Sequence, residues 1–275
     1  MNLEDCLFEE RYHIMSKIGQ GGMGIVYKAI DTQTQQPVAL KFLLFEFETN
    51  RRKRFGREFQ TLAQLNHPHI LRVFDYREES LNGPFFVMEF LDGEPLSNRA
   101  VRPQSVTDIV TCAQQLFQAL AEIHRHGIIH RDLKPANVMR LMPSEHLHLK
   151  LMDFGLVKHD DFTETLTQSG EIVGTLAYIS PEQATGRPQD HRSDLYSAGV
   201  LLYELIAGRP PFVADSFMLI LLHAQDTPPP LTEFRPDIPP ELAQVVHRLL
   251  EKEPEARFAS AQEVVEILSA IQKRL

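Results

Sequence analysis

The segment Ile129-His-Arg-Asp-Leu-Lys-Pro-Ala-Asn137 gathers cationic, acidic and amide side chains into one short stretch directly after a helical pattern. Such a set can orient a hydroxyl, neutralise developing negative charge and bind a metal. A purely structural polar loop seldom contains all of these together. Asp153-Phe-Gly155 follows the alternating run Leu147-His-Leu-Lys-Leu-Met152, so it places a carboxylate at a strand end beside a glycine that permits a sharp turn. Hard oxygen ligands of that kind suit Mg²⁺, although the tripeptide alone equally describes an ordinary turn.

Two further features earlier in the chain bear on phosphate chemistry. Gly19-Gln-Gly-Gly-Met-Gly24, followed by Val26, lies between two strand-like runs. Missing β-carbons let backbone N–H groups approach a phosphate closely, and the same spacing also fits a plain glycine-rich hairpin. A dinucleotide fold would need the motif to open a helix, whereas Ile25-Val-Tyr-Lys-Ala-Ile30 continues as a strand. Lys41, in Val38-Ala-Leu-Lys41, sits in an apolar strand where an ammonium requires an anionic companion, and Glu58 on a helical stretch is the candidate. Each charge taken alone also reads as a snorkelling or surface group.

The elements that must position these residues divide the chain. Strand-like runs fall at Tyr12 to Ile18, Gly24 to Asp31, Pro37 to Phe45, Leu71 to Glu78 and Pro84 to Phe90, interrupted by one helix over Asn50 to Gln64, where Phe55, Phe59 and Leu62 recur on one face. From Leu91 onward the periodicity is helical: Val106 to His126, Ser193 to Ala207, Ser216 to Gln225, Pro240 to Glu251 and Ser260 to Lys273. A sheet-rich first third and a helical remainder predict a bilobal α+β protein. Pro228 to Pro230 and Pro236 to Pro240 are connections, and no internal repeat is present.

Composition bounds the class. With 43% hydrophobic and 24% charged residues in 275, the chain is that of a globular protein with ample core. A formal net charge of −9 argues against a general nucleic-acid binder. Cys6 and Cys112 lack metal-ligand spacing and fit free thiols in a reducing cytoplasm. The first ten residues have no basic start or apolar run, so no signal peptide is expected, and no stretch has the roughly 20 apolar residues needed to span a bilayer.

The order of Gly19 to Gly24, Lys41, Glu58, His130 to Asn137, Asp153 to Gly155 and Ser180-Pro-Glu182 resembles that of protein kinases, from about Tyr12 to the C-terminus. Gly-Gly-Met-Gly-Ile-Val-Tyr and Tyr178-Ile-Ser-Pro-Glu-Gln-Ala184 look most like the eukaryotic-like serine/threonine kinases of bacteria. The resemblance implies a kinase catalytic domain over 12–275: an N-lobe of about 12–88 with a five-stranded antiparallel sheet and one main helix, a hinge near 89–93, and a mainly helical C-lobe over 94–275. Residues 1–11 would form an N-terminal extension.

By the same resemblance Asp132 is the catalytic base, Lys134 steadies the migrating phosphoryl group, and Lys41, held by Glu58, grips the α- and β-phosphates of ATP. Asn137 and Asp153 would carry Mg²⁺, with Mn²⁺ able to substitute. Ile18, Gly19, Gly21, Gly24, Val26, Ala39, Met88 as gatekeeper, Glu89, Leu91 and Met139 would complete the nucleotide site, Glu89 and Leu91 through backbone groups. Lys134 two residues after Asp132, with Gly174-Thr175 before Tyr178, follows the serine/threonine pattern. Leu62, Phe74, His130 and Phe154 would form a stacked apolar spine, with His130 core rather than catalytic. Glu182 would pair with Arg257, and Asp194 would brace the loop.

Between Asp153 and Glu182 lie Thr163, Thr165, Thr167, Ser169 and Thr175. By the resemblance to the bacterial kinases, Thr167 and Ser169 would be the sites of autophosphorylation, with Arg131 and Lys158 as cationic receptors, while Thr175 resembles the family's structural threonine; a solvated polar loop is the plain alternative. The partners that the resemblance implies are protein substrates, the chain itself and, since related bacterial kinases often pair through their N-lobes, a second copy. A pseudokinase scaffold and, from the glycine run alone, a dinucleotide-dependent oxidoreductase are the rival readings. Ser180 where the family commonly has alanine, and a long Leu141 to His148 connection, are the departures.

Overall fold

The structure is a computed structural model that describes residues 3–21, 24–43, 62–78, 80, 83–144, 146–153 and 176–275. The chain divides into two units, Met1–Asp92 and Gly93–Leu275. The predicted helix over Asn50 to Gln64 lies mostly outside the described residues, of which 62–64 are helical.

The first unit is built on an antiparallel sheet of β1 (Leu7–Phe8), β2 (Tyr12–Gly21), β3 (Gly24–Asp31), β4 (Gln36–Leu43), β5 (Val73–Arg77) and β6 (Phe85–Glu89), in the order β1-β2-β3-β4-β6-β5. Alternation along β3 and β4 sends Ile25, Tyr27, Ala29, Val38, Leu40 and Phe42 to one buried face, as a period of two requires. Phe85 and Val87 of β6 join them.

A five-stranded sheet was expected, and the sixth strand comes from the supposed extension. Phe8 closes the core edge-on against Phe42 and Phe85, with centroids 5.1 and 5.0 Å away. The strand is two residues long and set among Glu4, Asp5, Glu9 and Glu10, so only the tertiary burial of Phe8 identifies it. A second departure concerns Phe74. The β5–β6 register shifts between Val73 and Asp75, so Phe74 is bulged out and 48% exposed, with the Arg72 guanidinium 5.5 Å over its ring. Val73 is the inward residue, and Phe74 is not a spine member.

Asp31 ends β3 opposite Tyr12 and receives two bonds from Arg11, Nε to Oδ1 at 3.0 Å and Nη2 to Oδ2 at 2.8 Å, plus the Gln33 N–H at 3.0 Å. The Arg11 fork holds the Asp31 carboxyl down to about 2. A lowered folded-state value means that the stabilisation is complete above the unfolded carboxyl range near 3.9 and is lost as pH falls through about 2. In thermal melts, the gap between the parent chain and Asp31→Asn is expected to be constant above pH 5 and to close between about pH 4 and 2.

The second unit is mainly helical: α1 (Val106–Arg125), α2 (Pro181–Ala184), α3 (Arg192–Ala207), α4 (Ser216–Gln225), α5 (Pro240–Leu249) and α6 (Ala261–Gln272). The Ser105 side chain caps α1 by accepting from the Asp108 N–H, and the stripe Ile109, Cys112, Leu116, Leu120 and Ile123 is buried. α3 is buried from Ser193 to Ile206, the place of a helix apolar on nearly every side, and Gly208 ends it at φ 74. A small antiparallel sheet, β7 (Gly93–Pro95), β8 (Val138–Leu141) and β9 (Leu149–Leu151), packs on α1. The predicted helices are found within a residue or two of their expected ends. Only β9 of the small sheet was expected.

Candidate active site

Three groups from distant parts of the second unit pin the loop from Ile129 to Asn137. Asp194, in the first turn of α3, accepts the backbone N–H of His130 on Oδ2 at 2.8 Å and that of Arg131 on Oδ1 at 2.9 Å. Arg131 is held at φ 62, the left-handed region that disfavours side chains bearing a β-carbon, so both N–H groups converge on one carboxylate. The Gln183 amide donates to the Arg131 carbonyl at 3.2 Å, while Gln183 and Ser180 form a reciprocal cap on α2.

His124, in the last turn of α1, completes the support with Nε2 2.8 Å from Asp194 Oδ2. Its Nδ1 is buried with no partner among the described residues, which places the proton on Nε2, facing the carboxylate. Burial pushes the Asp194 carboxyl up, but the His124 bond and the loop N–H groups outweigh it, and the group stays ionised below its ordinary range. Sequence reasoning missed His124. The signal was present, because Cys112, Leu116, Leu120 and His124 continue one i, i+4 stripe, and a polar residue on a buried stripe needs a partner. His124→Leu is expected to lower stability by about 1.5–3 kcal/mol in urea titrations, with His124→Gln recovering part of the loss.

His130 is fully buried, and burial lowers its pKa, so the ring is neutral. Nδ1 accepts the Asp132 N–H at 3.3 Å and Nε2 donates to the Met152 carbonyl at 3.1 Å. Met152 in turn donates its N–H to the Asn137 carbonyl at 2.9 Å. One tautomer thus ties the loop to the strand end carrying Asp153, which stands at φ 55. His130 is a core residue, as expected.

Asp132 is buried, with Oδ2 3.1 Å from Lys134 Nζ and 3.2 Å from Asn137 Nδ2. Asn137 Nδ2 also donates to the Asp132 carbonyl at 2.7 Å. The Asn137 amide hydrogens are therefore turned toward Asp132, and its carbonyl oxygen points elsewhere. That oxygen and the Asp153 carboxylate are hard donors on adjoining backbone, a fit for Mg²⁺, which takes one or two protein oxygens and completes its shell with phosphate and water. Asp132 also borders a recess lined by Leu133, Tyr178, Ile179 and Gln183. Tyr178 donates its hydroxyl to Glu204, whose other oxygen meets Arg102 Nη1 at 2.9 Å.

Behind the recess, Arg257 places all five guanidinium hydrogens. Nη1 and Nη2 each meet a Glu182 oxygen at 2.8 Å, and the remaining bonds go to the carbonyls of Glu251, Arg192 and Lys252 at 2.8, 2.9 and 3.0 Å. Ser193 donates to Glu182 Oε1 at 2.6 Å.

In the first unit, cross-strand pairing sets Val26 opposite Lys41 and Ala39 opposite Met88, so these four share the sheet face that turns away from the Tyr27–Phe42 core. Gly19, Gly21 and Gly24 lie where β2 runs into β3, and Ile18 is exposed on β2. A β-carbon at Gly24 would lie 2.2 Å from the Phe42 carbonyl oxygen, so this glycine is required by the sheet itself. Glu89 accepts the Arg72 N–H on its side chain at 2.7 Å, and its own N–H goes to the Arg72 carbonyl at 3.0 Å. Leu91 is half-buried, as is Met139 on β8, paired with Pro95 and Lys150. Glu58, Phe154, Lys158, Thr167, Ser169 and Thr175 lie outside the described residues.

The family described as "Protein kinase domain" matches residues 12–268 of the chain. The chain belongs to the protein kinase family. A probable serine/threonine-protein kinase of Streptomyces coelicolor is 41% identical over 266 residues, covering 92% of this chain and 39% of the relative. The serine/threonine-protein kinase PknB of Mycolicibacterium smegmatis is 39% identical over 267 residues, covering 93% of this chain and 42% of the relative. The crystal structure of a mutant form of the Mycobacterium tuberculosis PknI kinase domain aligns with TM-score 0.73 and 28% identity over 99% of this chain and all of that one. The chain spans about two-fifths of the length of the first curated relatives it matches. These curated relatives carry serine/threonine-protein kinase names, and the family works with ATP and a divalent metal. Among the described residues no helix is long and apolar enough to cross a membrane.

Proposed function

We propose that this kinase domain moves the γ-phosphoryl group of Mg·ATP onto serine or threonine hydroxyls of proteins, its own included. The observation that carries the reading is Asp132, buried and fixed by Lys134 and Asn137 on a loop whose backbone is clamped by Asp194. Asp132 accepts the proton of the acceptor hydroxyl as its oxygen attacks in line, and the Lys134 ammonium offsets charge on the moving oxygens. Positioning and charge neutralisation suffice, because this transfer needs little covalent help.

Ile18, Gly19, Gly21, Gly24, Val26, Ala39, Lys41, Met88, Glu89, Leu91 and Met139 form the nucleotide set, and Lys41 with Glu58 holds the phosphates. The Glu89 N–H is already bonded to Arg72, so its adenine contact runs through the carbonyl. Asn137 and Asp153 hold Mg²⁺, which when bound neutralises phosphate oxygens, and Mn²⁺ can take its place. Residues 12–88 act as the N-lobe, 89–93 as the hinge and 94–275 as the C-lobe. Phosphorylation of Thr167 or Ser169, received by Arg131 and Lys158, switches the domain on, with Thr175 in a structural part. The free Cys6 and Cys112 suit the reducing cytoplasm. Incubation with γ-labelled ATP and phosphoamino-acid analysis of the labelled protein tests the reading. Phosphoserine and phosphothreonine are expected, and phosphotyrosine alone would contradict it.

A further inference from the structure

The Glu204 carboxylate, in the last turn of α3, stands one side chain behind the wall of the recess beside Asp132. Tyr178 lines that recess and donates its hydroxyl to Glu204 Oε2. Burial and the Glu204 charge push the Tyr178 pKa up, so the phenol remains the donor. Oε1 meets Arg102 Nη1 at 2.9 Å, and the two side chains are only 10% and 6% exposed. Among the described residues of the second unit, the other Arg–carboxylate pair buried on both sides is Glu182–Arg257, whose guanidinium also serves three backbone carbonyls.

Arg102 follows a single turn of 3-10 helix, Arg99–Val101, on the connection into α1. That connection is pinned around it: Arg102 Nε donates to the Leu96 carbonyl at 2.7 Å, Arg140 Nη1 to the Val101 carbonyl at 2.8 Å and Arg235 Nη2 to the Gln104 carbonyl at 3.2 Å. The guanidinium is therefore held in place at the carboxylate. A carboxylate this deeply buried requires a cation. The buried helix α3 fixes Glu204, whereas its cation comes from a connection, where a side chain can change without disturbing the core. Without Arg102, Glu204 would keep the Tyr178 bond and carry an unmet negative charge one residue from the recess. A Lys or Arg near the acceptor hydroxyl of a substrate would then be its complement. With Arg102 present, the charged side chains lining the recess among the described residues are Arg131 and Asp132, and Asp132 already faces Lys134.

We infer that Arg102 is a specificity-determining residue: by holding Glu204 from within the chain, it closes to basic substrate side chains an anionic subsite beside the acceptor recess. The inference rests on the phosphotransferase reading above. The probe is a set of serine/threonine peptides in which each position flanking the acceptor is fixed in turn as Arg, Lys, Gln or Leu. Arg102→Leu is expected to gain roughly tenfold selectivity for Arg or Lys over Gln at one flanking position, while Arg102→Lys stays within about twofold of the parent at every position. Adding Glu204→Gln to Arg102→Leu should abolish the gain. Thermal melts accompany each variant, and if Arg102→Leu does not fold, Arg102→Gln, which keeps a donor beside the carboxylate without the charge, is read in its place.

No gain in basic selectivity at any position, or equal losses on every peptide, would make Arg102 a brace and overturn the inference. So would a parent that already selects a basic flank and loses that preference in Glu204→Gln, since Glu204 would then be open to substrate. A parent inactive on the whole set would instead overturn the phosphotransferase reading and the specificity role with it.

Discussion

Asp132→Asn is expected to lower kcat by about 10²–10⁴-fold while leaving the affinity for Mg·ATP within about twofold. The carboxylate is buried between Lys134 and Asn137, and an amide of the same size fills that space without being able to take a proton. The loop stays clamped, because the Asp194 bonds to His130 and Arg131 involve backbone and do not depend on residue 132. Lys41→Met is expected to behave differently. Lys41 lies on the sheet face with Val26, Ala39 and Met88, and in the proposed role its loss would remove a phosphate contact, so KM for ATP should rise together with the fall in kcat. Steady-state kinetics with ATP titration, beside direct nucleotide binding, separates the two patterns.

Arg257→Met should be the most destabilising single change in the second unit, by about 3–5 kcal/mol, because it strips the partner from a buried carboxylate. In thermal melts this corresponds to a drop on the order of 10 °C. Three backbone carbonyls also lose their donor, which distinguishes this pair from a simple ion pair. A double change, Glu182→Leu/Arg257→Met, relieves the lone charge but still orphans those carbonyls, so it is expected to recover only part of the loss. Burial raises the Glu182 pKa, and the Arg257 fork more than reverses this, leaving the carboxyl below its ordinary range. With the folded value lowered, the contribution is complete above the unfolded carboxyl range and disappears as pH falls through the folded value. Arg257→Met should therefore lie closest to the parent at acid pH.

The clustered motif residues and the amphipathic helices were legible because their signals are local. Asp132, Lys134 and Asn137 stand within six residues of one another, and the α1 stripe repeats every three or four. What escaped was set by tertiary partners. Phe8 reads as one apolar residue in an acidic tail until the Phe42 and Phe85 rings are seen beneath it. Phe74 was placed inward by family alignment, and a one-residue bulge turned it out while Val73 went in. The contact from His124 to Asp194 spans seventy positions, beyond any periodic pattern. The Glu182–Arg257 pair spans a similar distance, and only alignment to the family proposed it. The strands β7 and β8 are three and four residues long, too short for alternation to declare them.

Single-turnover transfer from γ-labelled ATP, measured beside equilibrium Mg·ATP binding on the same preparations of parent and Asp132→Asn, tests the central claim most directly. The parent should bind nucleotide and label serine or threonine, and the variant should bind equally and label at least a hundredfold more slowly. Equal binding with no transfer by either chain would show a nucleotide-binding scaffold and contradict the account.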